Sequence, residues 1–123
     1  MNEQVENGLM ARRDVELALL MGAEGYLELD GWCQGTMQDP EGRYCLMGAM
    51  RASREQFEWE HGRTVSSGGG DDDPYWGLIT EMETKYGCRD VAYWNDTYGR
   101  TEDDVMQLLA DMIQERENDN EGS

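Results

Sequence analysis

Four stretches of this chain place apolar residues on a helical period, and that pattern confines it to a helical fold. From about Asp14 to Asp30, Val15, Ala18, Leu19, Gly22, Tyr26 and Leu29 fall on one helix face. Asp14 can cap the start, and Gly31 follows the end as a left-handed stop. Gly22 and Gly25 weaken this helix or permit a neighbour to approach closely. From about Cys45 to Glu60, Leu46, Ala49, Met50, Ser53 and Phe57 repeat the spacing, and His61-Gly62 is a stop. Asp73-Pro74 supplies a cap and a first-turn proline for a third helix through Tyr75, Leu78, Ile79, Met82 and Tyr86, ended by Gly87. Thr101 and Asp104 resemble a capping box ahead of Val105, Leu108, Leu109, Met112 and Ile113.

The segments between the helices set the expected organisation. Gly31 to Tyr44 is rich in Gly, Asp and Pro and reads as an ordered loop or short hairpin. Ser66 to Asp73 reads as a flexible linker. Val91 to Trp94 is either a strand or one helical turn, which periodicity does not decide. The expected fold class is therefore all-α: a compact four-helix domain over 14–114 with two ordered loops and room for one short strand or hairpin. Residues 1–13 are expected to be a partly disordered lead-in, and 115–123 an acidic disordered tail.

Charge narrows the partners. The 123 residues carry a net charge of −17. Up to Arg54 there are five basic and nine acidic residues; from Glu55 onward, five basic and 18 acidic. The acidity belongs to the second half. Nucleic acid and anionic membrane would repel such a chain, so neither is an expected partner. Any steering is toward a basic protein surface, unless the acidity serves solubility alone. Its sharper form is mimicry of nucleic acid, which requires carboxylates in rows on one face. The most apolar stretch, Val15 to Met21, is too short to span a bilayer. An acidic N-terminus and three cysteines, an odd number, suggest reduced thiols in a cytoplasm.

Chemistry-bearing constellations are sparse. Cys33, Cys45, His61 and Cys88 supply a zinc ligand count without the usual close cysteine pair. A Cys–His nucleophile has the right residue types and no supporting spacing. Asp71-Asp72-Asp73 lacks the ligand spacing of a calcium loop, and helix capping accounts for Asp73. No cofactor, metal or catalytic residue is assigned.

Two aromatic–polar clusters are more distinctive. One holds Trp32 and Gln34, with Arg43 downstream; the other holds Trp94, Asn95 and Asp96, with Arg100 after it. One reading is two loops pinned together by tryptophans, with Arg43 paired to Asp39 or Asp96. The other is a ligand or partner pocket lined by these side chains. The pocket needs at least one polar side chain that capping does not explain; if Asn95 and Arg43 bond only loop backbone, the cluster is structural.

These same residues carry a family resemblance. Gly31-Trp32-Cys33-Gln34-Gly35, then Asp39 through Ala49, Trp94-Asn95-Asp96 and Gly99-Arg100-Thr101, resemble motifs of an uncharacterised family of small actinobacterial and actinobacteriophage proteins. The resemblance spans about Asp14 to Ile113, and the Ser-Gly-Asp linker and acidic tail depart from it. Nine of the ten basic residues are arginine, which fits a GC-rich genome of that kind. The resemblance implies a source and a fold but no activity. The leading expectation is a small interaction or regulatory protein, encoded by a phage or its host, that binds a basic host protein. The alternatives are a small enzyme or ligand-binding domain sited between the Trp32 and Trp94 loops, and a minor virion component.

Overall fold

A computed structural model describes residues 11–62, 73–85, 87 and 90–122, with side chains to residue 118. Residues 1–10, Ser66 to Asp72, Tyr86 and Cys88, on which several expectations rest, lie outside the described residues.

Five helices make up the described chain: α1 Arg12–Asp30, α2 Leu46–His61, α3 Pro74–Lys85, α4 Val91–Asp96 and α5 Glu102–Gly122. Helix α1 is central and packs against α2, α3 and α5, while α4 bridges α2 and α3. The core gathers Leu20, Ala23 and Leu27 of α1 with Met50 of α2, Met82 of α3, Val91 of α4, and Leu109 and Met112 of α5. Complete burial of a leucine or methionine side chain contributes roughly 1.5–3 kcal/mol before chain entropy is counted.

The apolar stripes expected for α2, α3 and α5 are the buried ones: Leu46, Ala49, Met50, Ser53 and Phe57; Tyr75, Leu78, Ile79 and Met82; Val105, Leu108, Leu109, Met112 and Ile113. Helix α1 is rotated from expectation. It buries Leu19, Leu20, Ala23 and Leu27, and Leu29 is 86% exposed. The contiguous run Ala18-Leu19-Leu20-Met21 offers two overlapping faces, and contact with α2 on one side and α5 on another selects between them. Gly22 permits the close approach of α2: a Cβ there would collide with Ser53 Oγ, which donates to the Leu19 carbonyl at 2.7 Å.

Helix ends follow their local chemistry. Asp73 Oδ1 accepts from Tyr75 N–H at 3.0 Å. Thr101 and Asp104 form a reciprocal box, the Thr101 hydroxyl accepting from Asp104 N–H and the Asp104 carboxylate accepting from Thr101 N–H. Gly62 ends α2 in the left-handed region at φ +67°. The start of α1 differs: it begins at Arg12, with Ala11 in the cap position and no side-chain cap, so Asp14 lies inside the first turn.

Three further points concern the segments between and after these helices. The undecided Val91 to Trp94 run is helical, with the Asp90 carboxylate capping it through Tyr93 N–H. The hairpin allowed in the first loop reduces to isolated bridges, Trp32 with Tyr44 and Gln38 with Tyr44. The expected tail is also helical, since α5 continues to Gly122. Its anchor is Arg116, which bonds Glu16 of α1 at 3.0 Å and Glu81 of α3 at 2.6 Å. Desolvation opposes the Arg116 charge, but the hydrogen bonds and charges of Glu81 and Glu16 outweigh it and raise its pKa.

Candidate functional site

The loop after α1 and the short helix α4 meet at Asn95, which is fully buried. Asn95 Oδ1 accepts from the Trp32 indole N–H at 2.6 Å and from Leu46 N–H at 2.9 Å. Its Nδ2 donates to the Cys33 carbonyl at 3.1 Å and to Asp96 Oδ1 at 3.0 Å. A side-chain amide has two donors and a carbonyl with two lone pairs, so every hydrogen-bonding position of Asn95 is occupied from within the chain. The bond to Leu46 N–H also satisfies an orphan donor at the start of α2.

The neighbouring residues extend this clasp. Gln34 Nε2 donates to the carbonyls of Asn95 and Thr97 at 2.9 and 3.2 Å. Asp96 Oδ1 accepts from Gly35 N–H at 2.9 Å. Arg100 lays its guanidinium 4.0 Å from the Trp94 ring centroid and donates from Nε to the Trp94 carbonyl at 2.9 Å. Trp32, Gln34, Trp94, Asn95, Asp96 and Arg100 are thus brought together.

Arg43 stands apart. It pairs with Asp39 at 2.7 Å and Glu41 at 3.1 Å, closing its own loop, and has no bond to Asp96. Desolvation pushes the Asp39 carboxyl up, but its bonds from the Arg43 backbone N–H and guanidinium outweigh this and lower its pKa. Arg43 also covers Gly31, whose φ of +96° and lack of a Cβ let the chain turn beneath the Arg43 stem. Gln34, Asn95 and Asp96 hold the two loops together while Arg43 and Arg100 brace their own segments, and the arrangement reads as a structural clasp.

Cys33, Cys45 and His61 are each engaged in local structure, and Cys88 lies outside the described residues. Burial pushes the Cys33 and Cys45 thiols up in pKa, away from the thiolate a nucleophile needs. Cys45 instead caps α2, its sulfur accepting from Gly48 N–H at 3.3 Å. His61 stacks on Phe57 with its Nδ1 2.9 Å from the Phe57 carbonyl. Among the described residues no group of three or more His, Cys, Asp or Glu side chains is placed to hold a metal ion. Nor, among them, is any helix long and apolar enough to cross a membrane.

Most described cations are paired, and many carboxylates are not matched by a cation. Arg12, Arg43, Arg51, Arg54, Lys85 and Arg116 each hold a carboxylate of the same chain. Other carboxylates face like charge. The Glu24 pKa is raised by burial and further by Glu28 on α1 and Glu117 on α5. Exposed carboxylates occur on α1, α2 and α5, as Asp14, Glu28, Glu55, Glu60, Glu102, Asp103 and Glu117 show, with half-buried Glu83 on α3. A shallow groove of about 370 Å³ lies between α2 and α3 beside Met37, Tyr75 and Trp76, and its arginines, Arg51 and Arg54, are already paired with Glu55 and Glu58.

Surface features absent from the sequence reading include the exposed tyrosines around α4. Tyr93 is 72% and Tyr98 100% exposed. Their place beside Gly99 and a cluster of polar residues was the available signal, but exposure follows from how α4 is turned. The Arg116 network had no signal, because its partners lie far away in the chain.

No curated protein and no solved structure matches the chain. A family model described as a family of unknown function, DUF6197, matches residues 12–115, and the chain belongs to that family.

Proposed function

We propose that this protein is a small interaction protein that binds a basic surface of another protein. The observation that carries the reading is the net charge of −17, carried to the surface by exposed carboxylates such as Glu28, Asp103 and Glu117. Like charges held together destabilise the isolated fold, and a cationic partner relieves that repulsion. Among the described cations, Arg12, Arg54, Lys85 and Arg116 are paired with other carboxylates. In the phage setting that the motif resemblance implies, the partner is a host protein in the cytoplasm.

The ligand-binding alternative would use the Trp32 and Trp94 loops, where Asn95 and Gln34 are bonded to the chain itself. Affinity capture from a lysate of the source organism, at low and high salt with mass spectrometry, tests the reading. A basic protein retained at low salt and released at high salt is the expected result. Retention indifferent to salt would overturn it.

A further inference from the structure

The most exposed large side chains near the clasp are presented by a rigid element. Residues 97–100 form a turn closed by Arg100 N–H to the Thr97 carbonyl at 3.0 Å, with Gly99 third at φ +87°, as a type II turn requires. Tyr98 occupies its corner and is 100% exposed. The Thr97 hydroxyl ties the turn to the Tyr93 carbonyl at 3.0 Å. Arg100 pins its far end to Trp94 by a hydrogen bond and by the guanidinium–indole stack. Beneath, Asn95 and Asp96 fasten α4 to the loop after α1.

An aromatic side chain held outward on a backbone this constrained loses little further freedom when a partner covers it. The surroundings say what kind of partner. Exposed Asp90, Asp96, Glu102 and Asp103 flank the two tyrosines in sequence. The nearest described cation, Arg100, is laid on Trp94. An electron-rich ring beside carboxylates suits a guanidinium, which stacks on the ring and hydrogen-bonds the acid. The chain uses that pairing internally, with Arg54 4.7 Å over the Tyr75 ring.

We propose that Tyr98 and Tyr93 form the anchor by which this protein docks onto an arginine-rich surface of a partner protein. The inference rests on the interaction reading above and assigns its contact point.

The test is an NMR titration of the full chain with an oligo-arginine peptide at low salt, following the tyrosine ring resonances, with affinities of Tyr93→Ala and Tyr98→Ala compared with wild type. The expected result is that the Tyr98 and Tyr93 rings shift on binding. Each alanine variant weakens affinity, Tyr98→Ala by about tenfold or more, and melts where wild type does because the rings are exposed. Binding that shifts only Glu24, Glu28 and Glu117 and leaves the tyrosine rings unmoved overturns the anchor while the interaction reading stands. Absence of any binding at low salt overturns both. Replacing the peptide with oligo-lysine separates ring stacking from bare charge: equal affinity for the two would also overturn the guanidinium assignment.

Discussion

Replacing Asn95 with alanine removes four hydrogen bonds at once, and the cost can be worked out from its partners. Leu46 N–H and the Cys33 carbonyl lose a bond each inside the clasp, at about 1–3 kcal/mol per buried group left unpaired. The Trp32 indole N–H loses its acceptor but is only half-buried and recovers some hydration. The fourth partner, Asp96, keeps its bond from Gly35 N–H. The expected loss is about 3–5 kcal/mol, a large share of the roughly 5–15 kcal/mol that holds a domain folded. It corresponds to a fall of about 10–20 °C in Tm for a domain of this size. Urea unfolding followed by circular dichroism and by tryptophan fluorescence measures it. A double-mutant cycle with Trp32→Phe isolates the indole bond and should give a coupling of about 1–2 kcal/mol. A loss below about 1 kcal/mol for Asn95→Ala would refute the clasp, and the loops would then be free to serve as a pocket.

Other perturbations follow from single contacts. Arg116→Met leaves the Glu16 and Glu81 carboxylates facing one another across three helices and should cost about 1–3 kcal/mol in urea unfolding, less than a wholly buried pair because Glu81 keeps some water contact. Gly48→Ala drives a Cβ into the Met37 carbonyl, a backbone atom that cannot swing aside, and should cost about 1–3 kcal/mol by the same assay. Glu24→Gln should raise the Tm at neutral pH, by the equivalent of at most about 0.5 kcal/mol. Its folded pKa is raised, so the acid's stabilising contribution is present below the ordinary value of 4.5 and lost as pH rises through the folded value; the variant's advantage should vanish in acid. Asp39→Asn works in the opposite sense. The Asp39 pKa is lowered, so its contribution is present above the ordinary value of 3.8 and lost as pH falls through the folded value; wild type and variant should converge in strong acid.

How much of this was legible in the sequence depended on how local the determinant was. The Asp73 cap and the Thr101–Asp104 box involve neighbours in sequence, and each appears with the bonds its residues imply. The apolar stripes of α2, α3 and α5 are interrupted by charge on their other faces, so only one face of each can be buried. Helix α1 carries an unbroken apolar run, and its orientation waits on two neighbouring helices. Val91 to Trp94 is too short for a period to show, and the decision for helix is made by Asp90 and the packing of Val91. The α5 extension was illegible because Arg116 reaches partners 100 and 35 positions away on two other helices, contacts no local window contains. At the clasp, the grouping of Trp32, Gln34, Asn95 and Asp96 could be anticipated from their turn chemistry. That Asn95 would be saturated by the chain's own groups, and that Tyr93 and Tyr98 would be left outside, required the orientation of α4.

The central claim is that the acidic surface engages a basic protein. Its most direct test is the salt dependence of affinity for the captured partner, measured by calorimetry with wild type and with Glu24→Gln/Glu28→Gln/Glu117→Gln. The account predicts that wild-type affinity falls steeply with added salt and that the triple variant binds more weakly with a shallower dependence. Equal affinity and equal salt dependence for the two proteins would contradict it.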